Sequence, residues 1–343
     1  MALLYIGTEG STLSVDGTHY TLRHNGKKIG RIPPVMMDEV IIENGIEISR
    51  KALDRLGNTG VSVTFMGREG EINARLVAPW RHDPTPRLEQ ARQYMNPQLR
   101  VALARKIVNA KIRNQVSVLR GFQKNHANKR AGDIILTLSS ILKSLESATD
   151  IDGVMGYEGA AARAYFSLLG SYLLPKWTAF TGRNRRPPLD PPNAALSYAY
   201  AILTNRVHAL CESAGLDPYI SFLHGAEPRR PGLALDLIEP FRPMLADRFV
   251  WRQFNLKRLN ADNFYSADRG VNGIRLTRDA RAIFVKELVE WSNTTASDPD
   301  GEHAGYRPGG SILLKSIERF RACAAKGCLE DYTPPCMDDA TTF

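Results

Sequence analysis

The side chains of this chain that could do chemistry are carboxylates and an imidazole, set in three short stretches. The first stretch is YEGAAARAYF, residues 157–166, in which helix formers surround Glu158. On a helix the positions three, four, seven, eight and eleven residues beyond Glu158 share its face, and they hold Ala161, Ala162, Tyr165, Phe166 and Leu169. The carboxylate therefore lies on the apolar stripe, whereas Arg163 points away. An unpaired buried carboxylate is costly, so Glu158 needs a compensating charge. The other two stretches lie in SFLHGAEPRRPGLALDLIEPFRP, residues 221–243. His224 sits in a Gly- and Pro-containing turn region. Asp236 and Glu239 are three apart, which on a helix is one face. Asp-x-x-Glu also reads as a capping box. Pro240 would remove an early backbone donor in that frame, so a kink or a short first segment is expected.

A buried-stripe carboxylate, an imidazole and a carboxylate pair could converge on one cation. Two oxygen ligands and one nitrogen leave positions open for water and a phosphate. Such a set suits Mg²⁺ or Mn²⁺, with Mn²⁺ the more tolerant of imidazole, and zinc could also accept it. A divalent ion there would neutralise phosphate charge and favour in-line displacement. Three ligands are few for a permanent two-metal site. Other chemistries lack their motifs: there is no G-x-x-x-x-G-K-[ST], no G-x-S-x-G and no H-E-x-x-H. His82, His126 and His208 read as packed or surface residues.

The charge balance points to a polyanionic partner, since the net charge is +9. Between Pro97 and Gly132 stand nine Lys and Arg and no Asp or Glu: Arg100, Arg105, Lys106, Lys111, Arg113, Arg120, Lys124, Lys129 and Arg130. A second cluster is Arg183, Arg185 and Arg186, and a third is Arg229 with Arg230. Each alone reads as a solvated face. Together they favour contacts to a phosphate backbone. With no C2H2 finger, RNP signature or basic zipper, the recognition implied is of shape and backbone. The four cysteines, three of them spaced C-x4-C-x7-C, match no common zinc pattern and read as unligated thiols. No apolar run is long enough to span a membrane, and MALLYIGTEG has no basic segment before its apolar run, so a cytoplasmic protein is expected.

The elements that must position these residues fall into two parts, an α+β fold. LLYIG, TLSVDG, HYTLRHNG, EVIIENG, VSVTFMG and INARLVA are β-rich runs punctuated by turns such as Asp16-Gly17 and Asn25-Gly26. Ser49 is a candidate N-cap for the helix RKALDRL, with Gly57 as its stop. Residues 1–78 thus read as a β-sandwich-like domain. PWRHDPTP, residues 79–86, has three prolines and reads as a linker. From residue 87 to 326 the pattern is helical, with 3.6-residue periodicity from residue 88 through LEQARQYMNPQLRVALARKIVNAKIRNQVSVLRGF. Further helices are expected over 132–147, 156–174, 193–214, 242–259, 277–292 and 311–325. Residues 327–343 read as a loose acidic tail.

These motifs, in this order, resemble the CRISPR-associated integrase-nuclease family, the Cas-one family of spacer-acquisition enzymes. The resemblance covers about residues 3 to 320. It runs through ENGIEISRKALDRLGNTGVSVTFMG, KIRNQ, GYEGAAARAYF, RNRRPPLDPPNAALSYAY and HGAEPRRPGLALDLIEPFRP. It implies an N-terminal β-sandwich joined to a mostly helical catalytic domain, and a homodimer that assembles with a small ferredoxin-like Cas-two subunit. It implies a metal site of a Glu, a His and a third carboxylate, which fall on Glu158, His224 and Glu239; Asp236 matches a further acidic position near the metal. The implied reaction is strand transfer: the 3′-hydroxyl ends of a short double-stranded DNA fragment, the protospacer, attack the CRISPR repeat. Nuclease activity and resolution of branched DNA go with the fold. Tyr157, Tyr165 and Asn193 are candidates to hold the ligands or position DNA, although Tyr165 also suits a core and Asn193 a helix cap. Arginines 183, 185 and 186, with 229 and 230, would hold the backbone. The resemblance assigns no role to the tail with Cys328 and Cys336. Two other readings share these residues: a non-catalytic DNA clamp within an adaptation complex, and a transposon-encoded integrase of the same family.

Overall fold

Alternating strands and glycine turns build two four-stranded sheets in the first quarter of the chain. The structure is a computed structural model, and it describes residues 3–34, 37, 39–68, 70–76, 83–267, 273–294 and 312–336. The strands are β1 (Leu3–Ile6), β2 (Ser11–Asp16), β3 (His19–His24), β4 (Lys27–Ile32), β5 (Glu39–Ile42), β6 (Glu47–Ile48), β7 (Ser62–Met66) and β8 (Ile72–Leu76). Helix α1 (Arg50–Asn58) intervenes before β7. One sheet has the order β1-β5-β7-β8 and the other β4-β3-β2-β6. The turn from β3 to β4 places Asn25 at φ +48° and Gly26 at φ +77°, the two positive values that such a two-residue hairpin requires.

The β5 run EVII is buried on both faces. Val40 and Ile42 pack with Leu13, Tyr20, Ala52 and Leu56 between the sheets, while Ile41 joins the core of the helical part. That is why β5 reads as a continuous apolar run rather than an alternating one. Ser49 caps α1 as expected, accepting from Ala52 N at 3.2 Å. The other end of α1 shifts: Gly57 lies inside the helix, and the chain turns at Gly60, φ +76°.

The proline-rich break falls partly outside the described residues, at 79–82. Its last two residues, Thr85 and Pro86, already belong to α2 (Thr85–Tyr94). The helical run that follows is two helices. Asn96 caps α3 (Pro97–Asn125) by accepting from Leu99 N at 3.1 Å, and Pro97 takes the first position, where its missing donor costs nothing. Then come α4 (Ala131–Leu145), α5 (Ile151–Leu169) and α6 (Pro191–Ser213). After α7 (Gly232–Ile238) the chain makes a 3-10 turn over Glu239–Phe241 and a π-helical stretch over Arg242–Asp247 before α8 (Arg248–Asn255). This irregular passage is how the chain accommodates Pro240 and Pro243. A two-stranded ribbon, β9 (Phe264–Ala267) with β10 (Gly273–Leu276), precedes α9 (Arg278–Thr294) and α10 (Ile312–Lys326).

The expected loose tail is packed as far as residue 336. Leu329 and Tyr332 are fully buried, the Tyr332 hydroxyl meets Ser316 Oγ at 2.8 Å, and Asn114 Nδ2 donates to the Pro335 carbonyl at 3.1 Å. Residues 337–343 lie outside the described part. Among the described residues, no helix is long and apolar enough to cross a membrane.

Candidate active site

Three segments far apart in sequence meet around one buried ammonium. Lys111, from the middle of α3, reaches Glu158 of α5 and lies 2.6 Å from Glu239 Oε2. Arg242 completes the pairing of Glu239 at 2.6 Å from Oε1. Lys111, Glu239 and Arg242 are buried, and Glu158 is the most open of the group with 22% of its side chain exposed. Burial alone would raise the Glu239 carboxyl. The positive charges of Arg242 and Lys111 outweigh it and bring Glu239 down to about 2. Burial likewise works against the Lys111 charge, and Glu239 and Glu158 overcome it, so the ammonium is held above its ordinary range.

His224 is aimed by a carboxylate that also ties down the loop carrying it. Asp236 is fully buried at the middle of α7. Its Oδ2 accepts the N–H groups of Phe222 and Leu223 at 2.6 and 2.9 Å, and its Oδ1 accepts His224 N at 3.1 Å and His224 Nδ1 at 2.8 Å. A carboxylate so placed only accepts, so the imidazole proton sits on Nδ1 and the Nε2 lone pair faces Glu239, 3.9 Å from Oε1. The loop carrying the histidine turns through Gly225 at φ +75° and rests on Gly232. A Cβ at Gly232 would stand 2.4 Å from Ser221 Oγ and 2.8 Å from the Gly225 carbonyl oxygen, closer than atoms can pack.

Among the described residues, no three His, Cys, Asp or Glu side chains close on a metal-binding geometry. Lys111 stands between the two glutamates. The donor set nevertheless fits a divalent ion: one imidazole nitrogen with its tautomer fixed by a carboxylate behind it, and two carboxylates already turned toward a buried positive charge.

Beyond Arg242 the site opens into a cleft of about 690 Å³ between β8 and α6, lined by Arg75, Arg183, Arg185, Arg186, Arg229 and Arg242. Arg183 and Arg242 both lie over the ring of Tyr200, at 5.2 and 4.8 Å from its centroid. The Tyr200 hydroxyl donates to Asp247 Oδ1 at 2.5 Å, and burial pushes the Asp247 carboxyl up to about 6. Of the arginines expected to hold DNA, four line this cleft. Arg230 does not, and pairs with Glu227 at 3.0 Å near the surface. Arg183 is also tied down, donating to Asn193 Oδ1 at 2.8 Å and Ser197 Oγ at 3.1 Å.

The remaining expectations resolve differently. Asn193 is not the cap of α6: Asp190 caps the helix, and the buried Asn193 holds the arginine loop through Gly182 O, Asn184 N and Arg183. Tyr165 is fully buried in the core, and Tyr157 packs partly buried against it. Lys111 belongs to the run read from sequence as phosphate-binding and is instead buried among carboxylates. A signal for this existed. Ile107, Lys111, Asn114 and Val118 follow helical spacing on the buried face of α3, the same anomaly that marks Glu158.

The chain is similar to known proteins in sequence and in fold. A family model described as CRISPR associated protein Cas1 covers residues 4–290. CRISPR-associated endonuclease Cas1 2 of Rhodospirillum rubrum is 35% identical over 297 residues, 84% of this chain and 85% of that protein. Among solved structures, a casposase bound to integration product superposes with a TM-score of 0.82 at 21% identity, covering 99% of this chain and 95% of that one. A Cas6-RT-Cas1–Cas2 complex superposes with a TM-score of 0.80 at 22% identity, covering 97% of this chain and 36% of that one.

Proposed function

The chain belongs to the CRISPR-associated Cas1 family, and from that premise we propose that it is a metal-dependent DNA integrase and endonuclease of CRISPR adaptation. What supports the reading is that Glu158 and Glu239 share the Lys111 ammonium, with His224 Nε2 3.9 Å from Glu239, beside an arginine-lined cleft. Glu158, His224 and Glu239 would hold a Mg²⁺ or Mn²⁺ ion, which when bound supplies Lewis-acid polarisation of the scissile phosphate and neutralises its charge.

The chain's own groups do the rest. Asp236 keeps His224 in the tautomer that presents Nε2. Arg242 and Lys111 keep Glu239 ionised and oriented. Arg185, Arg186 and Arg229 hold the phosphodiester backbone along the cleft, and Asn193 with Asp190 keeps the loop that carries two of them in place. In strand transfer the 3′-oxygen of a DNA fragment forms a new bond to phosphorus in the repeat. The 3′-oxygen of the cut strand leaves and takes up the proton given by the attacking hydroxyl, so the number of diester bonds is unchanged. Likeness to a casposase bound to integration product supports DNA as the partner, and likeness to a Cas1–Cas2 complex supports a Cas2 subunit. A homodimer and the protospacer and repeat as DNA substrates complete the proposal.

The test is His224→Ala and Glu239→Gln in a strand-transfer reaction with a repeat-bearing supercoiled plasmid. Both variants should keep a folded circular-dichroism spectrum and bind DNA, and both should lose joining by at least about a hundredfold. Joining by either variant at the wild-type rate rejects the site. A clamp without chemistry has no need of a histidine whose tautomer is fixed beside two carboxylates. A transposon-encoded integrase would be told apart by terminal inverted repeats around its gene in place of CRISPR repeats.

A further inference from the structure

Lys111 takes no part in the bond-making and bond-breaking above, yet it occupies the centre of the site. Its ammonium is buried between Glu158 and Glu239, with Arg242 on the far side of Glu239 and His224 facing the same carboxylate. Three carboxylates, Glu158, Asp236 and Glu239, stand there against two fixed cations, Lys111 and Arg242. One negative charge is left over. A divalent ion added to that set turns the site to a net charge of plus one, and a phosphodiester brings it back to neutral. Without Lys111 the divalent ion alone would neutralise it.

Resting on the metal-site reading given above, we propose that Lys111 is a positioning residue, a resident counter-cation. It holds Glu158 and Glu239 in place in the metal-free protein and competes with the divalent ion, so that the ion is bound tightly only together with a DNA phosphate. The lysine thereby couples loading of the site to arrival of substrate. It touches the metal ligands and not the reacting atoms.

The test measures Mn²⁺ binding directly, from the electron paramagnetic resonance signal of the free ion. It compares wild type, Lys111→Met, Lys111→Arg and His224→Ala, each with and without a short DNA duplex, together with melting temperatures in chelator and in Mn²⁺. His224→Ala with duplex corrects for Mn²⁺ held by the DNA itself. The duplex should tighten Mn²⁺ binding by the wild type. Lys111→Met should bind Mn²⁺ without DNA at least about tenfold more tightly than wild type, because a charge that repels the ion has gone. It should also show little further tightening by duplex, melt lower in chelator and gain more from Mn²⁺. Lys111→Arg keeps the charge and should follow wild type. The proposal is overturned if Lys111→Met binds Mn²⁺ no more tightly than wild type. It is equally overturned if the duplex leaves wild-type binding unchanged, a measurement that stands even where Lys111→Met does not fold. Mn²⁺ binding to the duplex-free protein that survives His224→Ala instead removes the metal site itself, and the proposal with it.

Discussion

At the scale of single residues, the site is a set of charges whose partners fix their states. Asp236 serves four N–H groups with two oxygens. Asp236→Asn replaces one acceptor by a donor, so it should cost about 1–3 kcal/mol in denaturant unfolding. It should also weaken Mn²⁺ binding about 10- to 100-fold by freeing the histidine behind it. Asp247 makes the opposite kind of prediction. Burial raises its carboxyl from 3.8 to about 6. Below about pH 4 it is protonated folded or unfolded; as pH rises toward 6 only the unfolded chain releases the proton freely, so stability falls, by up to about 3 kcal/mol. Asp247→Asn should flatten that decline in melting temperature between pH 4 and 7. Glu239, lowered to about 2, works the other way, adding stability that is lost as pH drops below about 4.5 toward 2. Glu158 and His224 were legible in the sequence because a carboxylate on an apolar stripe and an imidazole in a turn are conspicuous. Lys111 was hidden among nine cations, and Arg242, Tyr200 and Asp247 were hidden because nothing local marks a charge that will be buried against another segment.

At the scale of elements, the histidine loop depends on how closely it can approach the start of α7. Gly232→Ala forces a methyl group into Ser221 and Gly225. It should destabilise the fold by about 1–3 kcal/mol, and displacement of His224 should reduce strand transfer more than the stability loss accounts for. A variant that unfolds earlier but joins DNA at the wild-type rate would show that the loop tolerates the shift. The helices and most strands were readable from the sequence, since α4 and α5 each bury one face, while α6 is buried on nearly every side. The misses have local reasons. β4, KKIGRI, lies at a sheet edge with little burial and so lacks alternation. The break between α2 and α3 falls at Asn96-Pro97, which supplies a new cap rather than a kink. The passage from Glu239 to Asp247 keeps helical spacing in sequence but pitches it as 3-10 and then π helix. The last segment reads as acidic and proline-containing, yet Leu329 and Tyr332 anchor it, which only the fold reveals.

At the scale of the molecule, the β part is clamped to the helical part by buried ion pairs and forms one wall of the basic cleft. Glu43 accepts from Arg281 Nε and Nη2 at 3.0 Å each, and Glu39 pairs with Arg206 at 2.9 Å. Arg281→Met strands a buried carboxylate and should cost about 3–5 kcal/mol in denaturant unfolding. The net charge of +9 is read directly from composition, but its focus on one cleft is not, because the arginines come from β8, the loop before α6, the loop before α7 and the π-helical stretch after it. Arg185→Ala and Arg186→Ala should each lower the slope of log binding constant against log salt by about one, with little dependence on DNA sequence. Whether this cleft feeds a metal-dependent strand-transfer site is decided by one assay. It supplies a duplex with 3′-hydroxyl ends and a repeat-bearing supercoiled plasmid. The protein is assayed with and without the Cas2 subunit, in Mg²⁺, Mn²⁺ and chelator, alongside Glu158→Ala. Covalent joining is expected in Mg²⁺ or Mn²⁺, and chelator and Glu158→Ala should both abolish it. Tight DNA binding without joining under every condition, or joining that persists in chelator, would rule out the proposed chemistry.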